Sequence, residues 1–167
     1  IRAKYGSSFK HVVQASWEGS YVLSVGDNHV TKSGIYFEEG APEMLSLTML
    51  YGTYAGLKDP YSIMLSESVA KSLFGNQNPL DKTLKINRAY DVKVTGVYED
   101  LPYNTSFRNL KVIMPWSLWL IDNPWAKQME DPWDSNFSQT FVQVADNVAI
   151  DVASKRIKNV KANNLSK

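Results

Sequence analysis

The chain contains no cysteine, which removes disulfides, thiolate metal sites and cysteine nucleophiles, and fits a reducing or an oxidising compartment equally. Histidine is almost as scarce. Only His11 and His29 occur, the first inside a β-rich run and the second beside a turn. Neither stands in an HExxH or His-x-His arrangement that would bring two imidazoles onto one metal. No metal or cofactor site is therefore expected. Blocks of one charge sign are also missing: 18 Lys and Arg oppose 17 Asp and Glu, for a formal net charge of +1, so the basic footprint of a nucleic-acid binder is absent. The longest apolar stretch, Val112 to Leu120, is broken by Pro115 and Ser117 and falls short of the about 20 residues that a membrane-spanning helix needs. The chain opens on IRAKYG, with neither an initiator Met nor a basic-then-apolar leader, and reads as a mature or excised segment.

What is present is ordinary globular material. With 167 residues, 44% hydrophobic and 21% charged, the chain is long enough to bury one real core. The β-rich runs KHVVQASW and YVLSV, separated by Glu18, Gly19 and Ser20, predict a hairpin, and a second turn follows at GDN. HVTKSGIYF alternates and ends near Gly40. A short helix around Met44 and an extended segment come next, then a loop, GTYAGLKDP. YSIML is a strand that leads into Ser66, a suitable N-cap. Glu67 suits the first turn, Val69, Ala70, Leu73 and Phe74 share one helical face, and Gly75 stops the helix in a left-handed cap. TLKI and AYDVKVTGVYED read as two strands joined around Asn87 and Arg88, with Val92, Val94 and Val97 inward. LPYNTSF is a loop, and NLKVIMP is a strand ended by Pro115. WSLWLIDN makes one or two helical turns, PWAKQMEDPWDSN is irregular, FSQTFVQV is a strand, and a last helix carries Val148, Val152, Ile157 and Val160. The sum is an α+β fold with a mixed sheet and a few packed helices, without regular βαβ alternation or internal repeat.

No catalytic constellation emerges from these elements. The adjacent carboxylates Glu38-Glu39, Glu99-Asp100 and Glu130-Asp131 point to opposite faces if extended, so they read as solvated turn residues rather than acid and base pairs. Ser66 and Ser68 lack a nucleophile elbow and a nearby base. Gly75 follows its helix, whereas a phosphate loop places glycines before one. Four of the five tryptophans, Trp116, Trp119, Trp125 and Trp133, fall close together among Asp, Asn and Pro. They form either a platform for a partner protein or sugar, or the cover of a core beneath an irregular loop.

The run SIMLSESVAKSLFGNQNPLDKTLKI, then YDVKVTGVYEDLPYNTSF, then LKVIMP, resembles the MacB-like periplasmic core domain of ABC transporter permeases of the MacB, FtsX and LolC/LolE type. That family shows a strand, a Ser-Glu-x-x-Ala helix ending in Phe-Gly, a Pro-x-Gly-Lys turn, and a Val-x-Gly-Val strand followed by Leu-Pro. Ser66, Glu67, Ala70, Phe74, Gly75, Pro79, Lys82, Gly96, Val97 and Pro102 stand at the matching places. One position departs: Asp81 stands where the family has glycine, and Asp tolerates a left-handed backbone better than most residues. The VTGVYEDLP variant and the Trp-rich insert resemble permeases of the Bacteroidetes.

The resemblance implies a single extracytoplasmic domain over 1–167, with a porter-like core at 1–117 and 137–167 and an inserted lobe at about 118–136. It implies a non-catalytic part of a multi-pass protein at the periplasmic face of the inner membrane, dimeric at full length. Its partners would be a cytoplasmic ATPase, reached through membrane helices, and a periplasmic adaptor, cargo or substrate protein contacted through Trp116, Trp119, Trp125 and Trp133. The alternative is a secreted glycan- or peptide-binding module using the same tryptophans; apolar stretches of about 20 residues flanking the chain would decide for the permease.

Overall fold

The computed structural model describes residues 6–129 and 135–164. Nine strands and four α-helices alternate irregularly along them. The strands are β1 (Phe9–Ala15), β2 (Gly19–Val25), β3 (Asn28–Phe37), β4 (Met49–Gly52), β5 (Ser62–Ser66), β6 (Thr83–Ile86), β7 (Tyr90–Tyr98), β8 (Val112–Pro115) and β9 (Gln139–Val144). The helices are α1 (Ala41–Met44), α2 (Glu67–Phe74), α3 (Trp116–Asp122) and α4 (Ile150–Ile157). Short 3-10 turns occupy Gly6–Ser8, Tyr54–Leu57 and Pro124–Lys127, so the expected loop after Gly52 contains a helical turn.

All nine strands belong to one mixed sheet, ordered β2-β6-β7-β5-β8-β3-β1-β9, with β4 added on β7. Because β2 also pairs with β3, the pairings β2-β6-β7-β5-β8-β3 run in a closed circuit. β5 lies parallel to β7, and β3 parallel to β8; the other pairs are antiparallel. Central strands flanked on both sides read as continuous apolar runs because both of their faces are covered. Ile63 and Leu65 of β5 join one core cluster while Met64 joins the other, and in β8 Val112 and Met114 are likewise separated from Ile113. The first cluster gathers residues from all six strands of the circuit and is roofed by Val69, Ala70, Leu73 and Phe74 of α2 and by Trp116 and Leu118 of α3. The second lies across the sheet, among Val13, Ala15, Ile35, Phe37, Tyr98, Ala41 and Leu47.

The expected hairpin between β1 and β2 does not form. Ala15 pairs with Phe37 and Gly19 with Gly34, so β1 and β2 lie end to end along the same edge of β3. Ser16 keeps the ladder going, donating its N–H to Tyr36 O at 2.9 Å and accepting Tyr36 N–H on Oγ at 3.0 Å. The chain reverses instead at Gly26 (φ 56°) and Asp27, the two residues between the paired Val25 and Asn28. Glycine with positive φ at the first central position is what a two-residue turn of this kind asks for. β1 finds its main partner at the far end of the chain, in β9. In α4 the buried residue is Ala153, and Val152 is exposed, which corrects the predicted apolar face by one position.

Candidate functional site

The corner that begins at Ser66 draws on β5, α2 and the segment after β7. Ser66 has the extended backbone of an N-cap residue (φ −68°, ψ 156°), yet its side chain makes no cap bond; its hydroxyl stands 3.1 Å from that of Ser68. The acceptor is Asp100. Its Oδ2 takes the Ser68 N–H at 2.8 Å, and its Oδ1 takes the Ser68 hydroxyl at 2.7 Å and a charge-assisted bond from Lys111 Nζ. A carboxylate satisfies an orphan N–H and also complements the positive end of the helix. Ser66 is thus the cap by position and Asp100 the cap by chemistry, which corrects the reading of Asp100 as a solvated turn residue. Partial burial alone would raise the Asp100 carboxyl; the hydrogen bonds from Lys111 and Ser68 and the Lys111 charge outweigh it and hold the group at about 2. Glu38 is also engaged, its Oε2 accepting the Gln14 N–H at 2.8 Å.

Further along, Glu67 pairs with Lys71 at 2.6 Å one turn away. Gly75 takes φ 62° and ψ −132°. This is not the left-handed helical cap but a region that a side chain all but forbids. Lys82 Nζ sits 5.4 Å from the centre of the Phe74 ring, its N–H donates to the carbonyl of buried Pro79 at 3.2 Å, and Pro102 is exposed at the start of the loop after β7. Asp81 has φ 62° and fits the turn as expected. Its side chain gains only an exposed contact with Lys93 at 3.7 Å, worth little. Asp81→Gly should therefore stabilise the domain by about 0.5 kcal/mol, the relief of the backbone being partly offset by a freer unfolded chain. The urea midpoint should rise at unchanged slope.

The tryptophans are brought together, though mostly with one another. Trp116 and Trp119, a turn apart on α3, stack with ring centres 4.4 Å apart and planes 9° off parallel. Phe137 stacks on the other side of Trp119 at 5.7 Å. Trp125 meets Trp119 and Phe137 edge-on at 5.9 and 5.5 Å. The far end of α3 is pinned by the Tyr90 hydroxyl, which donates to Asp122 Oδ1 at 2.6 Å. Trp116 is buried and Trp119 half-buried, while Trp125 is 46% exposed, its indole N–H on Asn123 Oδ1 at 3.2 Å. Trp133, like the Glu130-Asp131 pair, lies outside the described residues. Sequence reading missed Phe137 and Trp17. The latter is 56% exposed and donates its indole N–H to Asn136 O at 2.8 Å, a contact across more than a hundred residues that no local signal announces.

A cavity of about 330 Å³ opens beside Trp116. Phe37, Leu57 and Leu120 make it apolar, Glu38 and Glu39 give it an acidic rim, and its lining includes no histidine, lysine or arginine. Among the described residues no three of His, Cys, Asp and Glu converge as a metal site. The geometry offers contact surfaces and a rigid corner.

A sequence model described as the MacB-like periplasmic core domain matches residues 2–160. No curated protein matches the chain. Solved structures share its fold. The periplasmic region of MacB from Actinobacillus actinomycetemcomitans superposes with a TM-score of 0.70 at 24% identity, over 95% of this chain and 69% of that one. A permease-protein domain from Porphyromonas gingivalis gives 0.73 at 16% identity, over 99% and 68%. The extracellular domain of the ABC-type transporter YknZ from Gram-positive bacteria gives 0.64 at 17%, over 95% and 79%.

Proposed function

Since the chain belongs to the MacB-like periplasmic core domain family, and so is the periplasmic domain of an ABC-type transporter permease, we propose that it performs no chemistry of its own and relays ATP-driven motion of membrane helices to a periplasmic cargo or partner protein. The transport would be export, efflux or of the lipoprotein type. ATP would be hydrolysed by a cytoplasmic ATPase subunit or domain of the same transporter. Among the described residues no helix is long and apolar enough to cross a membrane, so the coupling would run through helices outside this chain.

The observation that carries the reading is the family match over 2–160. The pairing of the first strand with the last supports the relay. Phe9 to Ala15 runs along Val144 to Gln139, and this ribbon enters the body through Ala15 opposite Phe37 and through the Glu38 N–H on Gln14 O at 3.0 Å. Motion delivered to either end would thus reach both core clusters through β3. The lobe at about 118–136 is our candidate for the external contact. Trp116 and Trp119 spend their faces on each other and on Phe137, which leaves Trp125 as the open ring among the described tryptophans of this stretch, an arrangement better suited to one protein partner than to a row of sugars.

In the full-length permease, Trp125→Ala should weaken engagement of the partner or cargo by about tenfold, the effect of losing one central aromatic anchor. ATP hydrolysis should persist, and the melting midpoint should move by no more than about 2 °C, because the ring is half exposed. Engagement and transport unchanged in both Trp125→Ala and Trp119→Ala would remove this surface from the account.

A further inference from the structure

The β1–β9 ribbon carries two buried polar atoms without a hydrogen-bond partner. His11 Nε2 and Gln143 Oε1 are both shut off from solvent and make no hydrogen bond. The two residues are direct cross-strand partners, so their side chains stand side by side on one face. Groups of this kind are destabilising when left unpaired, and such pairs call for an explanation. A third oxygen approaches from α1: Glu43 Oε1 lies 3.9 Å from His11 Nε2. That separation is too long for a hydrogen bond. It is close to the about 3.4 Å between two ligands that share one tetrahedral Zn²⁺ at about 2.0–2.2 Å each.

We propose that His11, Glu43 and Gln143 bind a divalent transition-metal ion of the Zn²⁺ class. The His11 Nε2 lone pair and the Glu43 carboxylate are the strong ligands, the Gln143 amide oxygen is the third, and water fills the open position. An imidazole in the set selects against Ca²⁺ and Mg²⁺, which take oxygen alone. The burial pattern suits capture: the His11 side chain is 16% exposed, whereas that of Glu43 is 56% exposed and can close on the ion from solvent. The ligands come from β1, α1 and β9, so no short motif marks the site. A bound ion would clip α1 to the ribbon.

The test is titration of the 167-residue chain with ZnCl₂ at neutral pH by calorimetry, together with its melting curve. One ion per chain is expected, with the melting midpoint raised by about 5–10 °C at a hundredfold excess over Kd. His11→Ala should abolish binding. Glu43→Gln, at an exposed position where folding is not at risk, should weaken it at least tenfold, and His29→Ala should leave it unchanged. Absence of saturable binding would overturn the proposal. So would wild-type affinity in Glu43→Gln, or a loss in His29→Ala equal to that in His11→Ala, which would mark an adventitious surface ion.

Discussion

A Gly52→Ala variant should lose about 3–5 kcal/mol of folding stability, measured as a fall in the urea midpoint. Gly52 has φ 77°, where an L side chain is already strained by about 1–3 kcal/mol. A Cβ there would also stand 2.2 Å from Thr95 O and 2.9 Å from Gly96 Cα. Both are backbone atoms of β7, to which β4 is laddered, so relief requires separating the strands. Gly96, its cross-strand partner, offers the contrast. A Cβ on Gly96 would meet the Met49 and Met64 methyls at 2.9 Å, and flexible methionine ends repack, so Gly96→Ala should cost only about 1–2 kcal/mol. A Gly52→Ala protein as stable as Gly96→Ala would show that β4 is not seated on β7 as described.

Asp100→Ala should cost about 2–3 kcal/mol, since it strips the cap from α2 and leaves Lys111 half-buried without its anion. The same carboxylate sets an acid limb. Its pKa is lowered in the folded state, to about 2 from an ordinary 3.8, so the folded state holds the proton less tightly than the unfolded chain. Its contribution is therefore complete above pH about 4 and is lost as the pH falls toward 2. Asp100→Asn should flatten the stability curve across that window. An acid limb identical to that of the wild type would contradict the assignment.

Much of this corner was legible because its signals are local. The 3- and 4-residue spacing of Val69, Ala70, Leu73 and Phe74 foretold a helix that buries those side chains, and Gly75 marked its end. Asp81 at a glycine position foretold a positive φ, and the structure has one. What stayed hidden depends on partners distant in sequence. The Ser66 hydroxyl lost the capping role to a carboxylate 32 residues beyond Ser68, and capping statistics describe only the residue at the position. Glu18-Gly19-Ser20 looked like a turn, but Gly19 is paired to Gly34, and period-2 alternation does not say which strand a strand will choose. Phe137 completes the aromatic stack from beyond the end of the Trp-rich stretch, so counting tryptophans found the region without its geometry.

The antiparallel sense of the β1–β9 ribbon decides how it would bear tension. Phe9 lies opposite Val144, so a pull applied at these two points enters side by side at one end and peels the ladder bond after bond, where a parallel arrangement would load all the bonds together in shear. The mouth of this zipper is closed by the Ala145 N–H on Ser8 O at 3.1 Å and by Arg156 on the Ser8 hydroxyl. Beyond that clasp the ribbon would yield progressively as far as Ala15, and only there would tension reach the two cores. Under the proposed relay it would act as a mechanical fuse, giving way under excess load while the body of the domain stays folded.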